Sequence, residues 1–255
     1  MSRYPRISCP ITLVAVAAVL LSAPGAATAA PSCRPGASAT ATALGGPGAA
    51  LAWRAGLLGP TPVYRGIPGK GGRRRRSVGP GEAPWLLVLG AGRDRAGGCW
   101  VKVRLPSRPD DAAGWIEARR ALLRPTPWEI VVSRAARTLT VRRAGRRRQR
   151  FEVVVGKPAT PTPAGLFSIV GVWRGDPGEF LGAWTLGLTA HSGALRHFEG
   201  GDGEVAIHGR GGASLLDPLG SAASHGCIRL ANQAIDWVVS TVGRSQLLGI
   251  PVLVR

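Results

Sequence analysis

Short apolar runs broken by glycine and proline recur along most of the chain, and alternation with a period of two is commoner than helical spacing. Trp85-Leu86-Leu87-Val88-Leu89, Trp100-Val101-Lys102-Val103-Arg104-Leu105 and Gly114-Trp115-Ile116 predict strands, the second alternating cleanly. Further on, Glu129 to Val132, Thr138 to Val141 and Phe151 to Val155 predict three more, with a hairpin turn at Ala144-Gly145 between the second and third. Leu181 to Thr189 and Glu204 to His208 follow. In the latter, Val205 and Ile207 face one side, and Ala206 and His208 the other. One helix is expected: Asn232 as N-cap, Ile235, Val238, Val239 and Val242 at helical spacing, and Gly243 as the stop. Pro251 to Val254 closes the chain as a buried or edge strand. The pattern is mainly β, with a single helix.

Between these runs the composition shifts. Residues 30–60 are rich in Ala, Gly, Pro, Ser and Thr, with Leu51 to Leu58 as a short docking turn, and read as a flexible tether. A small β-barrel is the natural closure of 61–124. Its run Arg73 to Arg76 is expected in a solvated loop, because like charges repel. Pro125-Thr126-Pro127 predicts a hinge, and a second domain occupies 128–255. Pro161-Thr162-Pro163, stiff in φ, precedes Gly165 and Phe167.

The 255 residues carry 33 basic and 14 acidic groups, a formal charge of +19. A charge of that size attracts anionic polymers: nucleic acid, anionic lipid or anionic cell wall. The N-terminus narrows the choice. Arg3 and Arg6 precede an apolar run from Ile11 to Leu21, and Ala27-Thr28-Ala29 supplies a small-x-small cleavage pattern, so 1–29 predicts a signal peptide. That run falls well short of the roughly 20 residues that span a bilayer, which leaves an uncleaved anchor as the weaker alternative. An exported chain has little use for nucleic acid; the charge then points to an anionic envelope, at the cell wall, in the periplasm or outside.

Removing Cys9 with the leader leaves Cys33, Cys99 and Cys227, an odd number in an oxidising compartment. The economical expectation pairs Cys33 with Cys99 and leaves Cys227 as a thiol; a lipid on Cys33 is the alternative, against the polar Ala30-Pro31-Ser32 before it. Cys227 sits in Ser224-His225-Gly226-Cys227-Ile228-Arg229-Leu230, and a thiol needs a nearby imidazole to act as nucleophile near neutral pH. His208 and His225 are the candidates. His225 is tied to Cys227 by the backbone at i and i+2, whereas His208 can arrive from another strand and pass a proton to a leaving group. A zinc site of His208, His225 and Cys227 is a rival, though no paired Cys or His motif accompanies it. A non-catalytic wall-binding protein is another.

Taken in order, Pro161-Thr162-Pro163 with Gly165 and Phe167, Ile207-His208-Gly209, and Ser224-His225-Gly226-Cys227 followed by Arg229 resemble the L,D-transpeptidase (YkuD) family over about 128–255. Fifteen residues separate His208 from Ser224, a gap of the family's kind. The first β region, with Tyr64 and its tryptophans, resembles the SH3-like modules that precede such catalytic domains, although core packing suits each tryptophan better than a wall-binding groove. The resemblance implies a β-sandwich catalytic domain with one helix after the cysteine loop. It makes Cys227 the nucleophile and His208 the base, with the Gly209 carbonyl orienting the imidazole. Backbone N–H groups at Gly226 and Cys227 would form an oxyanion hole, His225 would shape the pocket, and Ser224 would lie at the substrate. Arg229 would either brace the loop or meet a substrate carboxylate.

The implied reaction is formation of 3-3 peptidoglycan cross-links by cysteine acyl transfer from tetrapeptide stems, with no metal or organic cofactor and with carbapenems reacting at the same thiol. Water as acceptor would make an L,D-carboxypeptidase, and a protein lysine an anchoring enzyme. Where the family often carries a tyrosine, this chain has Thr189-Ala190-His191-Ser192; His191 is either a substitute donor or an ordinary surface histidine. Gly171 to Gly187, with Trp173 and Trp184, is a candidate lid, with the tryptophans expected in the core.

Overall fold

The structure is a computed structural model that describes residues 51–197 and 201–255; the expected leader, most of the tether, Cys9 and Cys33 lie outside the described residues. Two sheets follow one another along the chain. The first contains β1 (Ala52–Leu57), β2 (Thr61–Tyr64), β3 (Arg74–Val78), β4 (Trp85–Arg93), β5 (Cys99–Arg104), β6 (Ala113–Glu117) and β7 (Ala121–Thr126), hydrogen-bonded in the order β3-β2-β6-β5-β4-β1-β7. It curls around its own core of Ala55, Val63, Leu86, Val88, Val101, Val103, Leu105 and Ile116. Among the described residues no ladder joins β3 to β7, so the sheet is open rather than the closed small barrel expected.

Two expectations for this half are corrected. The tether ends before Ala52, not at residue 60, since β1 pairs antiparallel with both β4 and β7. Its small residues hid it: Ala55 is fully buried by close strand packing, without a large side chain to signal it. The arginine run is an edge strand and not a loop. Along β3, Arg74 and Arg75 project into solvent and only Val78 is buried, so the charges are separated by the pleat; Arg76 pairs with Glu82 at 2.7 Å.

The second half contains β8 (Trp128–Ser133), β9 (Thr138–Arg143), β10 (Arg146–Glu152), β11 (Val155–Gly156), β12 (Gly165–Arg174), β13 (Trp184–His191), β14 (Glu204–His208), β15 (Ala222–Ser224), β16 (Ile228–Arg229) and β17 (Pro251–Val254), with helices α1 (Asn232–Val242) and α2 (Arg244–Leu247). Eight of these strands form one sheet in the order β10-β9-β8-β17-β12-β13-β14-β16, while β11 and β15 pair separately. The ten-residue β12 makes the bend. Its first half pairs with β17 and its second with β13, with a register shift between Ile169 and Gly171. The two flanks therefore close on a single core that includes Ile130, Leu139, Phe167, Leu186, Ile207, Ile228 and Val252, and α1 adds Ile235, Val238, Val239 and Val242. Burial of this apolar area is the main stabilising term.

Sequence boundaries shift here for identifiable reasons. The third strand is Arg146–Glu152 rather than Phe151 to Val155, because it is an exposed edge whose arginines carry no apolar signal; charge at that edge also discourages pairing with other chains. The turn before it is as expected, with Ala144 and Gly145 both at positive φ (51° and 74°), as a tight hairpin of this hand requires. The proposed lid begins in β12 and ends in β13, and Trp173 is 55% exposed instead of core, its ring lying over Gly171 and Gly187. Pro251 to Val254 is an interior strand, parallel to β8 and antiparallel to β12.

The two sheets are tied together. Only Pro127 separates β7 from β8, and its carbonyl accepts the Ala144 N–H at 2.7 Å. The Arg54 guanidinium lies 4.4 Å over the Trp85 ring and donates to the carbonyls of Ser245 (2.7 Å) and Leu248 (3.0 Å) at α2.

Candidate active site

His208 ends β14, and Cys227 immediately precedes β16, which runs parallel beside it with Ile207 level with Ile228 and His208 level with Arg229. Cys227 thus leads into the strand that lies beside the end of β14, where His208 sits. The imidazole is 1% exposed. Its Nδ1–H donates to the Gly209 carbonyl at 2.8 Å, which leaves Nε2 with the lone pair. Burial pushes the His208 pKa down from 6.5 to about 4; the Gly209 and Leu181 backbone groups oppose this, and the Arg229 charge adds to it. At neutral pH the ring is therefore an uncharged base.

One consequence is testable on stability alone. Between about pH 6.5 and about pH 4 the unfolded chain binds a proton at His208 that the folded chain refuses, so stability falls as pH drops through this window and levels off below it. The loss from this group is at most about 3 kcal/mol. Urea midpoints at pH 7 and pH 4.5 should differ more for the wild type than for His208→Gln.

The cysteine loop is shaped from behind. Ser224, fully buried, donates from Oγ to the Cys227 carbonyl at 2.6 Å and accepts the Gly226 N–H at 3.1 Å. Gly226 has φ +127°, a conformation that disfavours any side chain. This arrangement corrects two expectations. Ser224 is an internal pin and does not face substrate, and the Gly226 N–H is turned to Ser224 instead of an oxyanion. Cys227 keeps a half-buried thiol. Cys99 is disulfide-bonded.

The Pro-Thr-Pro segment has a role that its own residues did not announce. Thr162, 1% exposed, accepts the Gly156 N–H at 2.9 Å and donates to the Gly226 carbonyl at 2.8 Å, while Thr160 Oγ1 donates to the Ser224 carbonyl at 3.2 Å. The prolines hold the two threonines under the cysteine loop. Thr162→Val keeps the volume but leaves Gly226 O and Gly156 N without partners. It is expected to cost about 2–4 kcal/mol in a urea melt and to lower turnover about tenfold or more through a displaced nucleophile.

The remaining site residues fall on either side. Arg229, 4% exposed, pairs through Nη1 with Asp217 at 2.6 Å and lies 4.8 Å over the Phe180 ring, which braces the loop, while its Nε is enclosed without a hydrogen bond among the described residues. His225 is exposed, with Nε2 3.1 Å from Lys157 Nζ, and lines a small cleft with Cys227, Ser192, Leu195, Gly203, Glu204 and Val205. On the His208 side, Phe180 tilts 6.2 Å from the imidazole and, with Leu181 and Trp173, borders a cleft of about 560 Å³.

His191 is neither a surface histidine nor beside His208. It is 4% exposed and pairs with Glu204 at the far end of β14. Among the described residues, the His, Cys, Asp and Glu side chains close enough to share an ion are His191, Asp202 and Glu204, not the trio of His208, His225 and Cys227.

Asn232 departs most from its expected part. The N-cap of α1 is Ala231, and Asn232 Oδ1 accepts N–H groups of Ala183 (3.0 Å) and Arg210 (3.1 Å) while Nδ2 donates to the Arg210 and Pro177 carbonyls (2.8 and 3.1 Å). It thereby fixes the turn that carries Gly209. A Cβ at Gly209 would come within 2.3 Å of Asn232 Oδ1, so both glycine and asparagine are needed there.

A curled, mainly β domain with a buried neutral histidine ending one strand and a cysteine just before the parallel strand beside it defines the class. The sequence profile of the L,D-transpeptidase catalytic domain (YkuD) matches residues 127–254, half of the chain, which belongs to that family. It is similar to the proteins named L,D-transpeptidase YkuD of Bacillus subtilis, 34% identical over 116 residues, and of Bacillus licheniformis, 30% identical over 145 residues. These alignments cover 46% and 54% of this chain, and 61% and 78% of the relatives. A solved structure of L,D-transpeptidase 3 from Mycobacterium tuberculosis, carrying a faropenem-derived adduct, aligns with 62% of this chain and 91% of its own at 15% identity and a TM-score of 0.38.

Proposed function

We propose that the protein is an exported peptidoglycan L,D-transpeptidase that forms 3-3 cross-links through a Cys227 thioester. The observation that carries this reading is the His208 Nδ1–Gly209 O hydrogen bond, which leaves the Nε2 lone pair of a neutral imidazole at the end of β14, beside the strand that Cys227 leads into. The thiol sulfur attacks the carbonyl carbon at the third residue of a tetrapeptide stem, and Nε2 takes the thiol proton. The same proton passes to the nitrogen of the departing D-alanine as the C–N bond breaks, leaving the thioester. The side-chain amine of a second stem then attacks that carbonyl; His208 takes its proton and returns it to the Cys227 sulfur.

Arg229, two residues on from Cys227 and level with His208, favours negative charge in the site by the same sign that disfavours the imidazolium. Carbapenems, as acylating agents, are expected to react at this thiol. The exposed arginines of β3 and β10 suit attraction to anionic wall polymers, in keeping with the leader expected at 1–29.

Chromatography of products from a purified disaccharide-tetrapeptide tests the acceptor. Dimers short of one D-alanine support the transpeptidase; tripeptide monomers alone would make the enzyme an L,D-carboxypeptidase, and unchanged substrate would remove the proposal.

A further inference from the structure

A second constellation lies at the opposite end of β14 from His208. The His191 ring is 4% exposed, and its Nδ1 is fully enclosed without a hydrogen bond among the described residues. Each nitrogen instead faces a carboxylate at 3.4 Å: Nδ1 faces Asp110 Oδ1 and Nε2 faces Asp202 Oδ2. Glu204 stands across from His191 in the β13–β14 ladder, and the ligand atoms of His191, Asp202 and Glu204 all lie within 4.8 Å of one another.

The carboxylates repel one another, and a neutral imidazole donates from only one nitrogen, so the cluster calls for positive charge, carried either by a second ring proton or by a cation at Nε2. The framework nonetheless holds them together. Asp110 Oδ1 accepts the His191 N–H at 2.8 Å, the Ser192 N–H donates to the Gly203 carbonyl at 2.7 Å, and Arg108, from the first sheet, donates to the carbonyls of Ser192 (3.0 Å) and Asp202 (2.5 Å).

We propose that His191 Nε2, Asp202 and Glu204 bind one divalent cation of the zinc class, with Asp110 orienting the ring by accepting its Nδ1–H. One imidazole and two carboxylates, with water completing the set, suit Zn²⁺, and a carboxylate behind a ligating histidine is the usual outer partner. Asp202 keeps 52% of its side chain exposed, which gives the ion a way in. Glu204 and Ser192 also line the Cys227 cleft, so the ion sits at its rim and pins the chain around Asp202 to β14. This is separate from the acyl-transfer reading and does not depend on it.

The test uses full-length Cys227→Ala protein, so that the thiol does not compete for metal, titrated with Zn²⁺ alone by isothermal calorimetry at pH 7.5. One Zn²⁺ per chain is expected. Asp202→Asn and Glu204→Gln, at exposed side chains, should each weaken it at least about tenfold, and Asp110→Asn by about 10–100-fold. Imidazole ¹⁵N NMR should show a His191 proton on Nδ1 only once Zn²⁺ is added. No binding at millimolar Zn²⁺, binding indifferent to Asp202→Asn and Glu204→Gln, or a His191 ring that stays doubly protonated between its carboxylates would each overturn the proposal.

Discussion

On the proposed mechanism, Cys227→Ser is expected to lower turnover of tetrapeptide stems by at least about 10³-fold, with the melting temperature nearly unchanged. The substitution keeps a small polar side chain at a half-buried position, so packing loses little. Chemistry loses much more. A hydroxyl is far harder to deprotonate than a thiol, and His208, whose pKa is held at about 4, is too weak a base to make up the difference. Residual activity from binding and backbone polarisation remains measurable, as when any one member of a nucleophile–base set is removed. Single-turnover kinetics alongside a thermal melt read both effects, and a Cys227→Ser enzyme with wild-type turnover would exclude a thiol mechanism.

His208→Gln is the second large effect. Glutamine can keep a donor near Gly209 O but cannot accept and return a proton, so kcat is expected to fall about 10²–10⁴-fold with a smaller change in KM. The pH profile separates this role from a structural one. A base with pKa about 4 leaves the acid limb of kcat/KM well below the 6.5 of an ordinary histidine, and that limb should vanish in His208→Gln. Because burial is the main cause of the depressed pKa, Phe180→Ala, which removes the ring beside the imidazole, should move the limb upward towards 6.5. A limb that does not respond to Phe180 would assign it to another group.

The parts of this site legible in sequence are those written within a few consecutive residues. Ser224 to Cys227 and His208-Gly209 stand out because a cysteine, histidines and the glycines that permit tight backbone turns occur at short spacing, and the His208 ring does meet the Gly209 carbonyl. What escaped has partners far away in the chain. Thr162 acts on Gly226, Asn232 on Arg210 and Ala183, and Asp217 on Arg229, and nothing local to a threonine or an asparagine records such a bond.

The same limit explains the strands. Alternating apolar residues revealed β5 and β14, but β1 is built on small residues, β3 and β10 are arginine edges, and β12 is interrupted by Gly171 beneath Trp173. Asn232 shows how a sound local rule can be overridden. It begins a helix as its first residue and not as its cap, and its amide bridges the backbone of Ala183, Arg210 and Pro177 instead.

The most direct measurement is the intact mass of the wild-type protein quenched soon after mixing with a disaccharide-tetrapeptide, followed by peptide mapping. The account predicts an added mass equal to the substrate less D-alanine, carried as a hydroxylamine-labile thioester on Cys227 and absent from Cys227→Ala. Product formation with no such adduct, or an adduct on any other residue, would contradict it.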